Sequence, residues 1–437
     1  MSLSGGAAAG IFEGAFTSPE LIRLTNGRLV VGDNLVEGED LWICSRTGKI
    51  VDGRDIFFNS RTVAGTVIDL QNKIVAPGLI DVQLNGSFNF DFSNPKSLES
   101  YADDLVRVNK SLITLGVTSY LPTLTTSASQ TYHDVLRFLG PSGVDRDAHA
   151  GAESLGAHCE GPFMSTSKNG IHNPELLQSA AKGWSDIEAC YGRENLDGGR
   201  VKMITAAPEV GLVRDTISEV AKRGIVFSIG HTNATYTDAC DAVSRGATMI
   251  THMFNAMSPL HHRNPGVVGL LNGCEGLERP YYGIICDGIH LHPMTIRFAF
   301  TAHPEGCILV TDAMHLAGME DGVYDWTEGD RIVKKGPRLT LEHAPEKIAG
   351  SSVTLLECLN NFIKWTGTSV AQAISSVTEK PAKMLGLYPK KGSLIPGADA
   401  DLVILDEVLS GSGDKSLYVD RVFKFGQIVV PQLHNKA

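Results

Sequence analysis

Three residues far apart in the chain share one chemical setting. Glu160 in His158-Cys159-Glu160-Gly161-Pro162, His231 in Gly230-His231 and His252 in Thr251-His252-Met253-Phe254-Asn255 each lie at the end of a mostly apolar run. Two imidazoles and a carboxylate are a known ligand set for a catalytic zinc ion, which keeps a further position open for water. Asp312 closes another such run, Val310-Thr311-Asp312, where it would face that water, take its proton and later deliver it to a leaving group. Strand-like alternation puts His158 and Glu160 on one face and Cys159 on the other. Singly, a histidine at such a position more often bonds to backbone, and an aspartate caps a helix or forms a turn. The four together point to metal-assisted hydrolysis.

His172, in KNGIHNP, and His290, after Asp287-Gly288-Ile289, are suited to polarising a carbonyl or holding hydroxyls, although alone each reads as a surface histidine. His292 reads as the start of a helix and is discounted as a ligand. Arg263, in HHRNPG, is a candidate bidentate clamp for phosphate, with the backbone amides of Asn255-Ala256 as further donors. Ala349-Gly350-Ser351-Ser352 either brings backbone close to a ligand or simply begins a helix. No phosphate-cradling P-loop, nucleophile elbow or EF-hand loop is present.

Something must bring these residues to one place. Eight β-like apolar runs occupy 78–86, 118–124, 154–162, 201–209, 224–231, 247–256, 281–290 and 307–314. Helical stretches lie between them, at 97–115, 127–139, 173–191, 211–223, 234–245 and 293–302. In 211–223, Val213, Ile217, Val220 and Ala221 recur with helical spacing and Gly224 follows as a stop. Strand and helix alternating eightfold is the pattern of an α/β protein of the (β/α)8 TIM barrel type, whose reactive groups gather where the strands end. A doubly wound open sheet is the alternative, but no glycine-rich nucleotide fingerprint follows the first strand. Two helical segments are expected in 352–387, the second capped by Thr368 or Ser369. The flanks 21–75 and 391–431 are β-rich and each too small for its own core, so they are expected to form one discontinuous β-sandwich domain around the barrel of 76–390.

The chain has 437 residues, 43% hydrophobic and 20% charged, which excludes a disulfide-stapled module and wholesale disorder. Its 38 basic and 49 acidic residues leave a net charge of −11, so neither nucleic acid nor an anionic membrane is an expected partner, and an anionic substrate must be held by a few placed groups. Eight scattered cysteines without a paired motif read as reduced thiols of a cytoplasmic protein. Residues 1–18 lack the charge pattern of a signal peptide and read as a disordered lead-in. No apolar run reaches membrane-spanning length.

The ordered motifs VAPGLIDVQLNG, HCEGPF, KNGIHNP, GHTNA, THMFNAMSPL, CDGIHL, LVTDAM and AGSSVTL resemble the N-acetylglucosamine-6-phosphate deacetylase family of the amidohydrolase superfamily, over residues 22–431. The resemblance implies a (β/α)8 barrel with a small β-sandwich, and hydrolysis of the acetamide of N-acetylglucosamine 6-phosphate. It implies Glu160, His231 and His252 as metal ligands, Asp312 as general base then acid, and His172 as the group polarising the acetyl carbonyl. Contacts to the phosphorylated amino sugar are implied for Ile171, Asn255, Ala256, Arg263, Asp287, Gly288, His290, Ile348, Ala349 and Gly350. A homodimer is also implied, with Arg263 near or across the interface. In the wider superfamily the first barrel strand often ends in a His-x-His pair for a second metal. Here the stretch is Asp81-Val82-Gln83-Leu84-Asn85, and amides are poor transition-metal ligands. One divalent ion per subunit is therefore expected: zinc by the ligand set, with iron, cobalt and manganese also accommodated. A hydrolase of another small amide and a catalytically idle scaffold stay open as alternatives.

Overall fold

The structure is a computed structural model that describes residues 16–94, 97–326, 330–409, 411, 413 and 415–431. Eight parallel strands form the barrel, β1 (Leu79–Leu84), β2 (Val117–Leu124), β3 (Ala157–Glu160), β4 (Val201–Ala206), β5 (Val226–Ile229), β6 (Ala247–Ile250), β7 (Tyr281–Ile285) and β8 (Cys307–Val310), and a two-residue strand, Glu153–Ser154, also pairs with β2. Each of the eight pairs with the next in chain order, and every one lies inside a run expected from the sequence, save β2, which begins one residue early. The ring closes just past the strand ends: Leu84 bridges Ala313 in parallel, and the amide N–H of Asp312 donates to the carbonyl of Gln83 at 2.9 Å. The fold is thus the (β/α)8 TIM barrel.

The barrel interior is filled, as its strand alternation requires, by Ile80, Val82, Leu121, Met203, Val226, Met249, Ile285, Ile308 and Val310. Met384 and Leu385, at the end of a helix spanning Glu379–Met384, pack into the same cluster and plug one end. Toward the other end the interior turns polar. His158 bonds Thr123 on one side (3.2 Å) and Thr205 on the other (2.7 Å), Thr205 bonds Thr251 (2.6 Å), and Thr251 bonds Ser228 (2.5 Å). This buried chain crosses β2 to β6 directly beneath the strand ends. It gives each interior hydroxyl a partner where an unmatched one would cost about 1–3 kcal/mol.

The outer helices follow their apolar spacing with corrections. Helix Val213–Lys222 buries Val213, Thr216, Ile217 and Val220, while Ala221, expected on that face, is exposed. Gly224 follows it with φ +69°, a conformation that glycine adopts without strain. Only Trp184–Tyr191 of the expected 173–191 helix forms as such. Asn173 caps a single short turn, Pro174–Leu176, and Leu177 then goes extended. Three helices, not two, occupy the later stretch: Leu355–Thr366, Val370–Ser375 and Glu379–Met384, the second capped by Ser369. An antiparallel four-stranded sheet over 322–351 leaves no signal in the sequence, because its half-exposed strands carry no continuous apolar run.

Strands from both flanks share a sheet. Ile74–Pro77 pairs antiparallel with Leu402–Leu409 and parallel with Arg28–Val31. The expected lead-in of 1–18 lies outside the described residues up to 15, and by Phe16 the chain has entered a strand, Phe16–Thr25. Among the described residues no helix is long and apolar enough to cross a membrane. The reading of all eight cysteines as reduced thiols is corrected: Cys240 and Cys274 form a disulfide, because their helix and loop lie side by side, whereas the other six are free and buried.

An ionic cluster lies where the flanking sheet meets the opposite end of the barrel. Lys391 pairs with Glu153, with Asp399 (3.0 Å) and with Asp401 (2.6 Å); Lys424 pairs with Glu153 (2.9 Å) and Asp401 (2.8 Å) and donates to the carbonyl of Thr118 at the start of β2. Burial alone would raise the Asp401 carboxyl, but Lys424 and Lys391 outweigh it and hold the group well below its usual range. Lys391→Met would leave these carboxylates partly uncompensated, at a cost of about 3–5 kcal/mol in urea unfolding at pH 7. A carboxyl depressed in the folded state contributes its full stability above an unfolded pKa of about 3.9 and loses it as pH falls below that. The gap between wild type and variant should therefore narrow in acid; a pH-independent gap would count against the cluster as its source.

Candidate active site

At the strand ends, β3, β5 and β6 bring three side chains to one point. Glu160 Oε1 lies 3.2 Å from His231 Nε2 and 3.1 Å from His252 Nε2, and the two nitrogens are 3.0 Å apart. All three residues are at most 3% exposed. His231 Nδ1 is 2.8 Å from the carbonyl oxygen of Lys168, an acceptor only, so the ring proton sits on Nδ1 and Nε2 offers a lone pair. That nitrogen therefore cannot donate to Glu160. A lone pair facing a carboxylate oxygen and a second imidazole nitrogen is the arrangement a cation relieves. Among the described residues no lysine or arginine pairs with Glu160; its remaining side-chain partner is the amide of Gln83, 3.1 Å away. A buried carboxylate without a full positive charge is costly, so these donors fit a divalent ion in both chemistry and charge.

The backbone is bent to present these groups. His231 (φ +50°), His252 (φ +28°) and Asp312 (φ +46°), immediately or shortly after β5, β6 and β8, all take left-handed conformations that side-chain-bearing residues seldom adopt. Glu209, after β4, secures the first of these bends by accepting from Thr232 Oγ1 (2.5 Å) and the N–H of Asn233 (2.6 Å). Asp312 receives the Asn85 amide at 2.8 Å. Its carboxyl is raised, first by burial and then by the negative charge of Glu160.

His172 differs from the other two imidazoles. The backbone N–H of Thr126 donates to its Nδ1 at 3.0 Å, which leaves the ring proton on Nε2. Burial lowers its pKa to about 3, so it is a neutral donor near neutral pH. Ligand atoms of His172, Glu160 and His231 fall within 4.8 Å of one another, and the His172 and His231 rings meet edge to face at 4.6 Å. With its Nε2 protonated, His172 is better suited to donate a hydrogen bond beside an ion than to ligate it.

Asp287 grips His290: its Oδ2 is 2.7 Å from His290 Nδ1, while Oδ1 accepts the N–H groups of Ile289 and His290. Burial opposes the His290 charge but Asp287 more than offsets it, so the imidazole pKa is raised. Gly288 has φ +71° between them. His292 caps helix Pro293–Ala302 through its Nδ1, as its discounting requires. Asn255 and Ala256 follow His252 in a tight turn, Asn255 N–H donating to the His252 carbonyl at 2.9 Å. Gly350 lies against Met314, two residues past Asp312, and Met314 N–H donates to the Ser351 carbonyl, so the strand carrying Ala349 is docked to the barrel mouth.

Three residues are more open to solvent. Ile171 is 66% and Ile348 46% exposed, and the Arg263 side chain, on an exposed loop, has no partner among the described residues. Conversely, the sequence marks Gln83 and Asn85 only as poor metal ligands. Their two-residue spacing at the end of β1 aims both amides inward as donors, one to Glu160 and one to Asp312.

Residues 74–429 match the amidohydrolase family. The chain is 39% identical over 420 residues to N-acetylglucosamine-6-phosphate deacetylase of Bos taurus, covering 95% of this chain and 97% of that protein. Among solved structures it is similar to N-acetylglucosamine-6-phosphate deacetylase from Pasteurella multocida, with a TM-score of 0.76, 26% identity and coverage of 93% and 99%. It is likewise similar to a variant of the Mycobacterium smegmatis enzyme in complex with N-acetyl-D-glucosamine-6-phosphate, with a TM-score of 0.74, 28% identity and coverage of 94% and 100%.

Proposed function

The chain belongs to the amidohydrolase family and is a hydrolase, and from that premise we propose that it removes the acetyl group of N-acetyl-D-glucosamine 6-phosphate, giving D-glucosamine 6-phosphate and acetate. The observation that carries the chemistry is the buried triangle of Glu160, His231 and His252, which has no lysine or arginine partner among the described residues, beside a second carboxylate, Asp312. A divalent cation held by those three residues, zinc by their chemistry, supplies Lewis acidity and an activated water.

The chain's own groups do the rest. Asn85 holds one oxygen of Asp312 and leaves Oδ2 to take the proton of the attacking water. His172 donates its Nε2–H to the acetyl oxygen, where negative charge grows, and its neutrality follows from its burial. As the tetrahedral intermediate collapses, Asp312 returns its proton to the departing amine. Asp287 fixes His290 to meet the sugar hydroxyls. The raised carboxyl of Asp312 suits a group that must hold a proton midway through the reaction.

The phosphate is held by the backbone of Asn255-Ala256 and by Arg263. Among the described residues the Arg263 side chain has no partner, and we assign it to the neighbouring site of a homodimer. Gly288, Ile171, Ile348, Ala349 and Gly350 complete the walls around the sugar. The cytoplasm is the compartment that fits a phosphorylated metabolite.

Acetate release from the phosphorylated and the free sugar tests this reading. Wild type should prefer the phosphorylated sugar by about a hundredfold or more, because charge-assisted bonds to phosphate are worth about 1.5–3 kcal/mol each. Arg263→Ala should erase much of that preference. Equal efficiency on both sugars would remove the phosphate grip; release from neither sugar would remove the substrate itself.

A further inference from the structure

Lys168 makes two contacts that tie separate parts of the site together. Its backbone carbonyl accepts the Nδ1–H of His231 at 2.8 Å and so sets the tautomer of that imidazole. Its ammonium reaches the other way and donates to the carbonyl of Met257 at 3.2 Å. Met257 directly follows Asn255-Ala256 and is bridged to Thr232, whose N–H donates to the Ala256 carbonyl at 3.1 Å. The lysine thus spans from the loop after β3 to the turn after β6.

An ammonium carries three N–H donors. Lys168 spends one on a neutral carbonyl, and among the described residues no carboxylate pairs with it. The side chain is half-buried, so its charge is less screened than that of a surface lysine. In a chain of net charge −11, such a cation beside a tight turn of backbone amides is a local reversal of sign. The amides alone offer partial charges, and Arg263 comes from an exposed loop; Lys168 is the cation that this turn already holds.

We propose that Lys168 is a specificity-determining residue: its ammonium binds the phosphate of the substrate at the turn after β6, as an in-chain counterpart of Arg263. The assignment rests on the deacetylase reading above. Because the carbonyl of the same residue holds His231, the loop that carries the phosphate contact also braces the catalytic imidazole.

Lys168→Met tests it, since the substitution keeps the backbone carbonyl and most of the side chain's length but removes the ammonium. For N-acetylglucosamine 6-phosphate, KM should rise about tenfold or more, the scale of one charge-assisted hydrogen bond, with kcat changed far less. The preference for phosphorylated over free sugar should fall by the same factor, and the inhibition constant of inorganic phosphate should rise with it. Lys168→Arg should recover most of the loss. Equal loss on both sugars would make Lys168 a structural brace and overturn the proposal, as would an unchanged phosphate inhibition constant. If wild type itself shows no preference for the phosphorylated sugar, the phosphate reading fails before Lys168 is in question, so the two failures are separable.

Discussion

Asp312→Asn should lower kcat for deacetylation by about 10²–10⁴-fold, the range that a positioned acid/base contributes, while the protein folds and still binds metal and substrate. The substitution suits the question because it changes little else. Asn is among the few residues besides glycine that accept a left-handed backbone, so the φ of +46° at this position is tolerated. Its side-chain oxygen can still accept from the Asn85 amide that now bonds Asp312 at 2.8 Å. It cannot take a proton from water near neutral pH, nor return one to the amine. Metal content by elemental analysis and substrate binding by calorimetry should stay near wild type as acetate release collapses. A variant with near-wild-type turnover would strip Asp312 of its role; one that has lost its metal would make Asp312 a ligand instead.

The sequence announces this aspartate and the three ligand candidates for a physical reason. A parallel barrel strand is a short apolar run, so the first polar residue after it marks the strand end, and ring closure brings all such ends to one mouth. Chain distance then matters little, and Glu160, His231 and His252 are legible although 92 residues separate the first from the last. What needs a partner across space is not legible. Gln83 looks like a defective ligand until the closed barrel brings the ends of β1 and β3 to one mouth, where its amide bonds Glu160. Cys240 and Cys274, 34 residues apart, give no spacing signal for a bond that depends on helix Tyr236–Ser244 lying against the loop. The left-handed turns at His231, His252 and Asp312 are also hidden, because no glycine marks them. The strands over 322–351 escape for a different reason: they alternate exposed and half-buried residues around a small core of Leu316, Ile332 and Leu339 instead of showing apolar runs.

Removing the metal should have an effect of similar size, and its stoichiometry decides between one site and two. Chelation should abolish acetate release by about 10³-fold or more, since Lewis-acid stabilisation is worth several kcal/mol, and zinc should restore it. His231→Ala and His252→Ala should each fall to a small fraction of the wild-type ion content. The reason lies in the charge balance. Among the described residues no lysine or arginine pairs with buried Glu160, whose negative charge raises the Asp312 carboxyl, and the paired Asp287–His290 adds no net charge. An ion that binds only the folded chain also stabilises it, by about 4 kcal/mol at a thousandfold excess over its dissociation constant, so chelation should lower the melting temperature as well. The wild type should hold one ion per chain, because the β1 residues that would complete a second site are Gln83 and Asn85, and their amides already donate to Glu160 and Asp312. A donor N–H aimed at a carboxylate occupies the position from which a second cation would approach. Two tightly held ions per chain would overturn that argument, and full activity after exhaustive chelation would overturn the metal assignment itself.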